Sequence, residues 1–160
     1  MVFWHAFKES LKLPSKKALF KLNRLGMDIV VVYMFILLLF VSFPSLIEEI
    51  TTPNDLSNHL NVFFLIIYFF IFYYLPMTII VFVFISLIAY VGKGITIMMK
   101  RKLHFSILWK MYAFSTTLPF ALYTIIALFY QFSNLFFWIS LLYTMLLFIK
   151  MISIYPKINN

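Results

Sequence analysis

The densest polar chemistry inside any hydrophobic stretch of this chain is Ser115-Thr116-Thr117-Leu118-Pro119. Proline has no N–H to offer the carbonyl four residues back, so in a helix Pro119 leaves the carbonyl of Ser115 without its usual bond. Neighbouring hydroxyls can satisfy the backbone at such a kink in lipid. The sharper alternative is a hinge or a point where a partner docks. His59, with Glu48, Glu49 and Asp55 nearby in sequence, raises a metal site, but the spacing matches no ligand motif and reads as a solvated loop. Val91-Gly92-Lys93-Gly94 lacks the glycine spacing and the Ser/Thr of a phosphate loop and reads as a helix end. A serine facing Lys110 or Lys150 could form a dyad, but nothing in the spacing requires one. There is no acid pair within a hydrophobic stretch, no His-Glu-x-x-His and no Gly-x-Ser-x-Gly. Cysteine is absent, which removes thiol nucleophiles, disulfides and thiolate metal ligands. These residues predict no catalytic, cofactor or metal site.

The elements that carry them are hydrophobic blocks. Of 160 residues, 64% are hydrophobic and 11% charged, and the mean hydropathy is +1.01. That is too little charge to cover the surface of a soluble domain. The blocks are long enough to cross a hydrocarbon layer of about 30 Å, which takes about 20 helical residues. The sequence therefore predicts an all-α integral membrane protein: four transmembrane helices at about 27–47, 76–97, 105–130 and 135–155, preceded by an amphipathic interfacial segment over 1–25.

Within residues 1–25, Phe3, Phe7 and Leu11 follow helical spacing, Pro14 ends a first helix, and Ser15 can cap a second. A basic amphipathic segment with a nearby Trp suits the membrane surface; a disordered basic leader is the alternative. The basic region is too long, and a small-residue cleavage site is missing, for a removed signal peptide. Asp28 sits where the positive end of the first span's dipole favours an acid. Residues 61–98 are too long for one simple crossing, about 57 Å as a helix. A crossing at 76–97 is expected, with 61–75 either lying along the interface or extending the helix outward.

The net charge of +8 reads as a topology signal rather than a nucleic-acid footprint. Six of the thirteen Lys and Arg precede the first span (Lys8, Lys12, Lys16, Lys17, Lys21, Arg24). Five lie at the second-to-third turn and its helix ends (Lys93, Lys100, Arg101, Lys102, Lys110), and Lys150 and Lys157 close the chain. None falls in an outer loop, so the positive-inside rule puts both termini in the cytoplasm. Lys16, Lys17, Lys21, Arg24, Lys100, Arg101, Lys102, Lys110 and Lys150 are expected to contact anionic lipid headgroups, Lys110 and Lys150 by snorkelling.

Helices in lipid associate through close packing and shared polar groups. Tyr112, Ser115, Thr116, Thr117, Pro119 and Tyr123 on the third span, Ser86 on the second, and Ser140 and Thr144 on the fourth are the expected packing or partner contacts. No span carries an acid at mid-depth, which argues against an aqueous pore or proton coupling.

Together, Phe7-Lys8-Glu9-Ser10-Leu11-x-x-Pro14, the Lys-Arg-Lys turn, and Trp109-x-x-x-Ala113-Phe114-Ser115-x-Thr117-Leu118-Pro119 resemble a family of Firmicute membrane proteins related to Yip-type multi-span proteins. Some members are named for maltodextrin utilisation (MalA-type). Those relatives usually carry a larger extracytoplasmic insert between the first two spans. The resemblance implies a cytoplasmic-membrane protein of a Gram-positive bacterium, linked to a sugar ABC transporter, and implies no catalytic residues. The function expected is that of a non-enzymatic accessory or regulatory subunit bound to a membrane protein partner or a second copy. A lipid-interacting, membrane-organising protein is the alternative, and a small-solute transporter a third.

Overall fold

The structure is a computed structural model and describes residues 2–51, 61–129 and 134–156. Among them every regular element is helical: α1 (Val2–Ser10), α2 (Lys16–Asn23), α3 (Met27–Thr51), α4 (Val62–Met98), α5 (Phe105–Ser115), α6 (Thr117–Ala127) and α7 (Asn134–Ile154). Three of these, α3, α4 and α7, are long and apolar enough to cross a membrane.

The first expected span falls inside α3, and the last coincides with α7 except for Tyr155, one residue past its end. Asp28 sits in the first turn of α3, and its carboxylate folds back over Gly26, where any Cβ would collide with it. Between the two spans, the sequence left the state of 61–75 open; these residues extend the second span. α4 runs unbroken for 37 residues, with a π-helical turn at Phe70–Tyr74 where the Leu75 N–H reaches back to Phe70 O. Pro76 accounts for this turn. Its ring crowds the preceding turn and cannot donate, and widening that turn by one residue relieves both problems.

The expected third span, 105–130, is broken into two helices of 11 residues. At the junction Thr116 has φ −75 and ψ −13, flatter than an α-helix. The missing N–H of Pro119 is the cause. Bonds from Thr116 N to Tyr112 O (3.2 Å) and Phe120 N to Thr116 O (3.0 Å) keep the halves stacked. The Ser115 and Thr116 hydroxyls donate to the carbonyls of Tyr112 (2.6 Å) and Ala113 (2.8 Å). Tyr130, the expected end of the span, and the turn after it lie outside the described residues.

The Lys-Arg-Lys corner is a helix stop. Lys100 takes the left-handed conformation (φ 53), and Arg101 N bonds Thr96 O while Lys100 N bonds Ile97 O. This is the paired-bond cap usually built on glycine. The core lies toward this cationic end of the bundle. It joins Val30, Met34 and Leu37 of α3 to Ile85 and Ala89 of α4, Leu108 and Phe114 of α5, and Phe148, Met151 and Ile152 of α7.

The first 25 residues depart from a helix lying free on the membrane surface. α1 and α2 dock on the bundle, with Ala6, Ala18, Leu19 and Leu22 in the same core. α1 turns its small and polar face inward, burying Ala6, Glu9 and Ser10. Phe3, Trp4 and Leu11 stay exposed, so most of the expected apolar stripe faces outward while the opposite face meets protein.

Candidate functional site

Two constellations hold the residues singled out by sequence. The first fastens the N-terminal helices. Lys110, expected at headgroup level, is buried instead, with 7% of its surface exposed. Its ammonium donates to the carbonyls of Asn23 (2.7 Å) and Leu25 (3.0 Å). Those carbonyls close α2, where a helix leaves acceptors unpaired and carries its negative dipole end. A cation from α5 supplies both needs, which is why Lys110 turns inward rather than snorkelling.

Glu9 is nearly buried and pairs with Lys12 and Lys21, both at 3.2 Å. Burial pushes its carboxyl up, but the hydrogen bonds and charges of the two lysines outweigh this and hold it below the ordinary value. Asn23 donates through Nδ2 to the hydroxyl of Tyr155, just past the end of α7. Deeper in the bundle the Tyr33 hydroxyl meets Thr117 Oγ1 at 2.9 Å, with the Ser10 hydroxyl beside it. Thr117 thus looks toward α1 and α3. Ser115 is spent on the backbone of its own helix. Ser86 bonds Phe82 O (2.8 Å) and accepts from Trp109 Nε1 (3.0 Å), tying α4 to α5. Among the other expected headgroup residues, Lys16, Lys17, Lys21, Arg24, Lys100, Lys102 and Lys150 are exposed and Arg101 is half-buried.

The second constellation is a cleft of about 450 Å³ between α7 and the α4–α6 wall. Six of the residues expected to mediate packing line it together: Tyr112, Thr116, Pro119, Tyr123, Ser140 and Thr144. The cleft lies between two contacts of α7: at its far end Phe136 meets the Tyr123 ring of α6 (6.5 Å between ring centres). Near the cationic end Phe148 fits over Gly92, where a Cβ would come within 2.6 Å of the ring, and stacks edge-on against Tyr112 (5.5 Å between ring centres). Thr144 donates to Leu141 O (2.9 Å), and the Thr144 and Tyr112 hydroxyls stand 3.5 Å apart.

Sequence reasoning missed Tyr73, Ile80 and Phe137 among the lining residues. Tyr73, in the π turn, stacks on Phe69 and shares a 3.1 Å hydrogen bond with Ser45. The aromatic density of 61–75 was the available signal. Among the described residues no charged side chain lines the cleft, which there offers apolar walls and a few hydroxyls. Asp55 and His59 lie outside the described residues. Among the described ones, no three His, Asp or Glu side chains gather as metal ligands would.

Three helices long and apolar enough to cross a membrane, with a core at the cationic end of the bundle and an apolar side cleft, are consistent with a membrane protein. The chain belongs to the family described as Protein of unknown function (DUF1189), whose model matches residues 48–152. The matched range holds every cleft-lining residue but Val41, whereas α1, α2 and most of α3 precede it. No curated protein and no solved structure matches the chain.

Proposed function

We propose that this protein is a non-catalytic accessory or regulatory subunit of a bacterial membrane complex. It crosses the cytoplasmic membrane four times, with the stacked pair α5–α6 as the third crossing and both termini inside. The observation that carries the reading is the length of α4. Its 37 residues rise about 55 Å, against a hydrocarbon layer of about 30 Å. Tilting by 40°, the edge of the usual range, lengthens the path only to about 39 Å, so about ten apolar residues still project. They include Phe63 and Phe64, which are 67% and 60% exposed. An uncovered aromatic helix beyond the lipid is an interaction surface.

The family resemblance supports a maltodextrin-type transporter as the complex. A photo-crosslinking residue at Phe63 or Phe64, irradiated in cells, is expected to give one discrete adduct with a larger membrane protein. Recovery of the uncrosslinked monomer alone, whatever the growth sugar, refutes the reading. A second reading, a protein that organises anionic lipid, is favoured by the exposed cations of α2 and the Lys-Arg-Lys corner. It requires that vesicle recruitment of the full chain's neighbouring lipids weaken in high salt; salt-insensitive lipid enrichment removes it.

A further inference from the structure

We propose that the cleft between α7 and the α4–α6 wall holds one acyl chain of a phospholipid from the leaflet opposite the cationic end. The inference requires only that the helices lie across the bilayer; it does not depend on the accessory-subunit role.

The dimensions select the occupant. From Thr144 to Phe136 α7 rises about 12 Å, and from Tyr112 to Tyr123 the α5–α6 stack rises about 16 Å. Half of the hydrocarbon layer is about 15 Å. The cleft is therefore one leaflet deep. It ends where Phe148, Gly92 and Tyr112 close on one another. A spanning helix of a partner, about 10 Å or more across, needs a groove through both leaflets and meets this closure halfway. The volume of about 450 Å³ lies in the range of about 300–1,000 Å³ found for small-molecule sites.

The walls fit a hydrocarbon chain. The mouth is flanked by Ile80 and Phe137, 67% and 62% exposed, on the sides of α4 and α7 that face lipid. A chain can enter sideways without leaving the bilayer. The inner wall is mainly apolar and uncharged, and the Thr116 and Thr144 hydroxyls near its floor are turned to backbone carbonyls. The far end is bordered by Tyr73 and Tyr123, with Ser45 on Tyr73, hydroxyls at the level of ester and glycerol oxygens. The described lining holds no cation to pair the carboxylate of a free fatty acid at this level, whereas the ester oxygens of a phospholipid are neutral acceptors whose charged phosphate lies further out in the headgroup, so a phospholipid is the source.

The test uses the full chain in nanodiscs containing a phospholipid with a mid-chain diazirine. After irradiation, labelled residues are mapped by mass spectrometry. Labelling is expected at Thr116 and Ser140 inside the cleft, as well as at Leu87 on the outer face of α4. Ser140→Trp, which fills the cleft, is expected to cut labelling at Thr116 about tenfold, the equivalent of about 1.4 kcal/mol, with Leu87 unchanged. Phe137→Ala, at an exposed position that widens the mouth, is expected to raise it and serves if Ser140→Trp does not fold. Three results overturn the proposal: label at Leu87 but none inside, internal label that neither variant changes, or a fatty acid of the same chain labelling better than the phospholipid. Failure of the proposed orientation or of partner capture leaves this readout intact, so the two can fail separately.

Discussion

Replacing Lys110 with methionine tests how the N-terminal helices are held. The ammonium makes two charge-assisted bonds, to the carbonyls of Asn23 and Leu25. Each such bond contributes about 1.5–3 kcal/mol. Removing the cation also leaves two inward-facing acceptors at the α2 terminus without a donor. Against this, the variant no longer buries a charge, a relief of several kcal/mol in principle. Methionine keeps most of the packing of the lysine stem. The balance is a loss of about 3 kcal/mol in docking, about a hundredfold in the docked-to-undocked ratio. Hydrogen exchange of the protein in nanodiscs reads this directly: amides of α1 and α2 should exchange about a hundredfold faster, while the middle of α3 keeps its protection. Lys110→Arg, whose fork does not fit two carbonyls set for a point charge, should be intermediate. Unchanged exchange in α1 and α2, or equal loosening of α3, refutes the claim that Lys110 acts as a local clasp.

Two further outcomes follow from packing and charge. Gly92→Ala places a methyl within 2.6 Å of Phe148 and should lower stability in detergent by about 1–3 kcal/mol, read as a fall in melting temperature; Phe148→Leu in the same chain should recover part of it, and no recovery means the contact is misassigned. Glu9 has its carboxyl held below the ordinary value, so its contribution to docking is complete above that value and is lost as pH falls through the lower, docked-state value. Hydrogen exchange in α1 and α2, corrected for its intrinsic pH dependence, should therefore step up in acid for the native chain and show no such step for Glu9→Gln, with equal pH profiles refuting the role of the ion pairs.

The sequence made some of this architecture legible and hid the rest for physical reasons. Span length and charge placement located α3, α7 and the Lys-Arg-Lys stop, because bilayer thickness and headgroup charge act on composition alone. Hydroxyl spacing brought Tyr112, Thr116, Pro119, Tyr123, Ser140 and Thr144 to one cleft, since these residues share helix faces. Lys110 was not legible, because a lysine one turn or two inside a span looks the same whether it reaches for phosphate or for the end of another helix. The docking of α1 on the bundle was not legible for a related cause. Phe3, Phe7 and Leu11 form the stronger stripe, but in lipid the greasy side can face outward and the side with Glu9 and Ser10 can face protein. The π turn at Phe70–Tyr74 shifts the helical phase ahead of Pro76, which no fixed-period pattern anticipates.

The absence of cysteine makes single-cysteine labelling the most direct test of the central claim, that the cationic end of a four-crossing bundle faces the cell interior. Lys8→Cys, Lys102→Cys, Ser153→Cys and Phe63→Cys are each exposed to an impermeant maleimide on intact cells. The account predicts labelling of Phe63→Cys alone, with the other three reacting only after permeabilisation. Labelling of Lys102→Cys or Lys8→Cys from outside contradicts the orientation, and labelling of Ser153→Cys from outside contradicts the α5–α6 pair as a crossing.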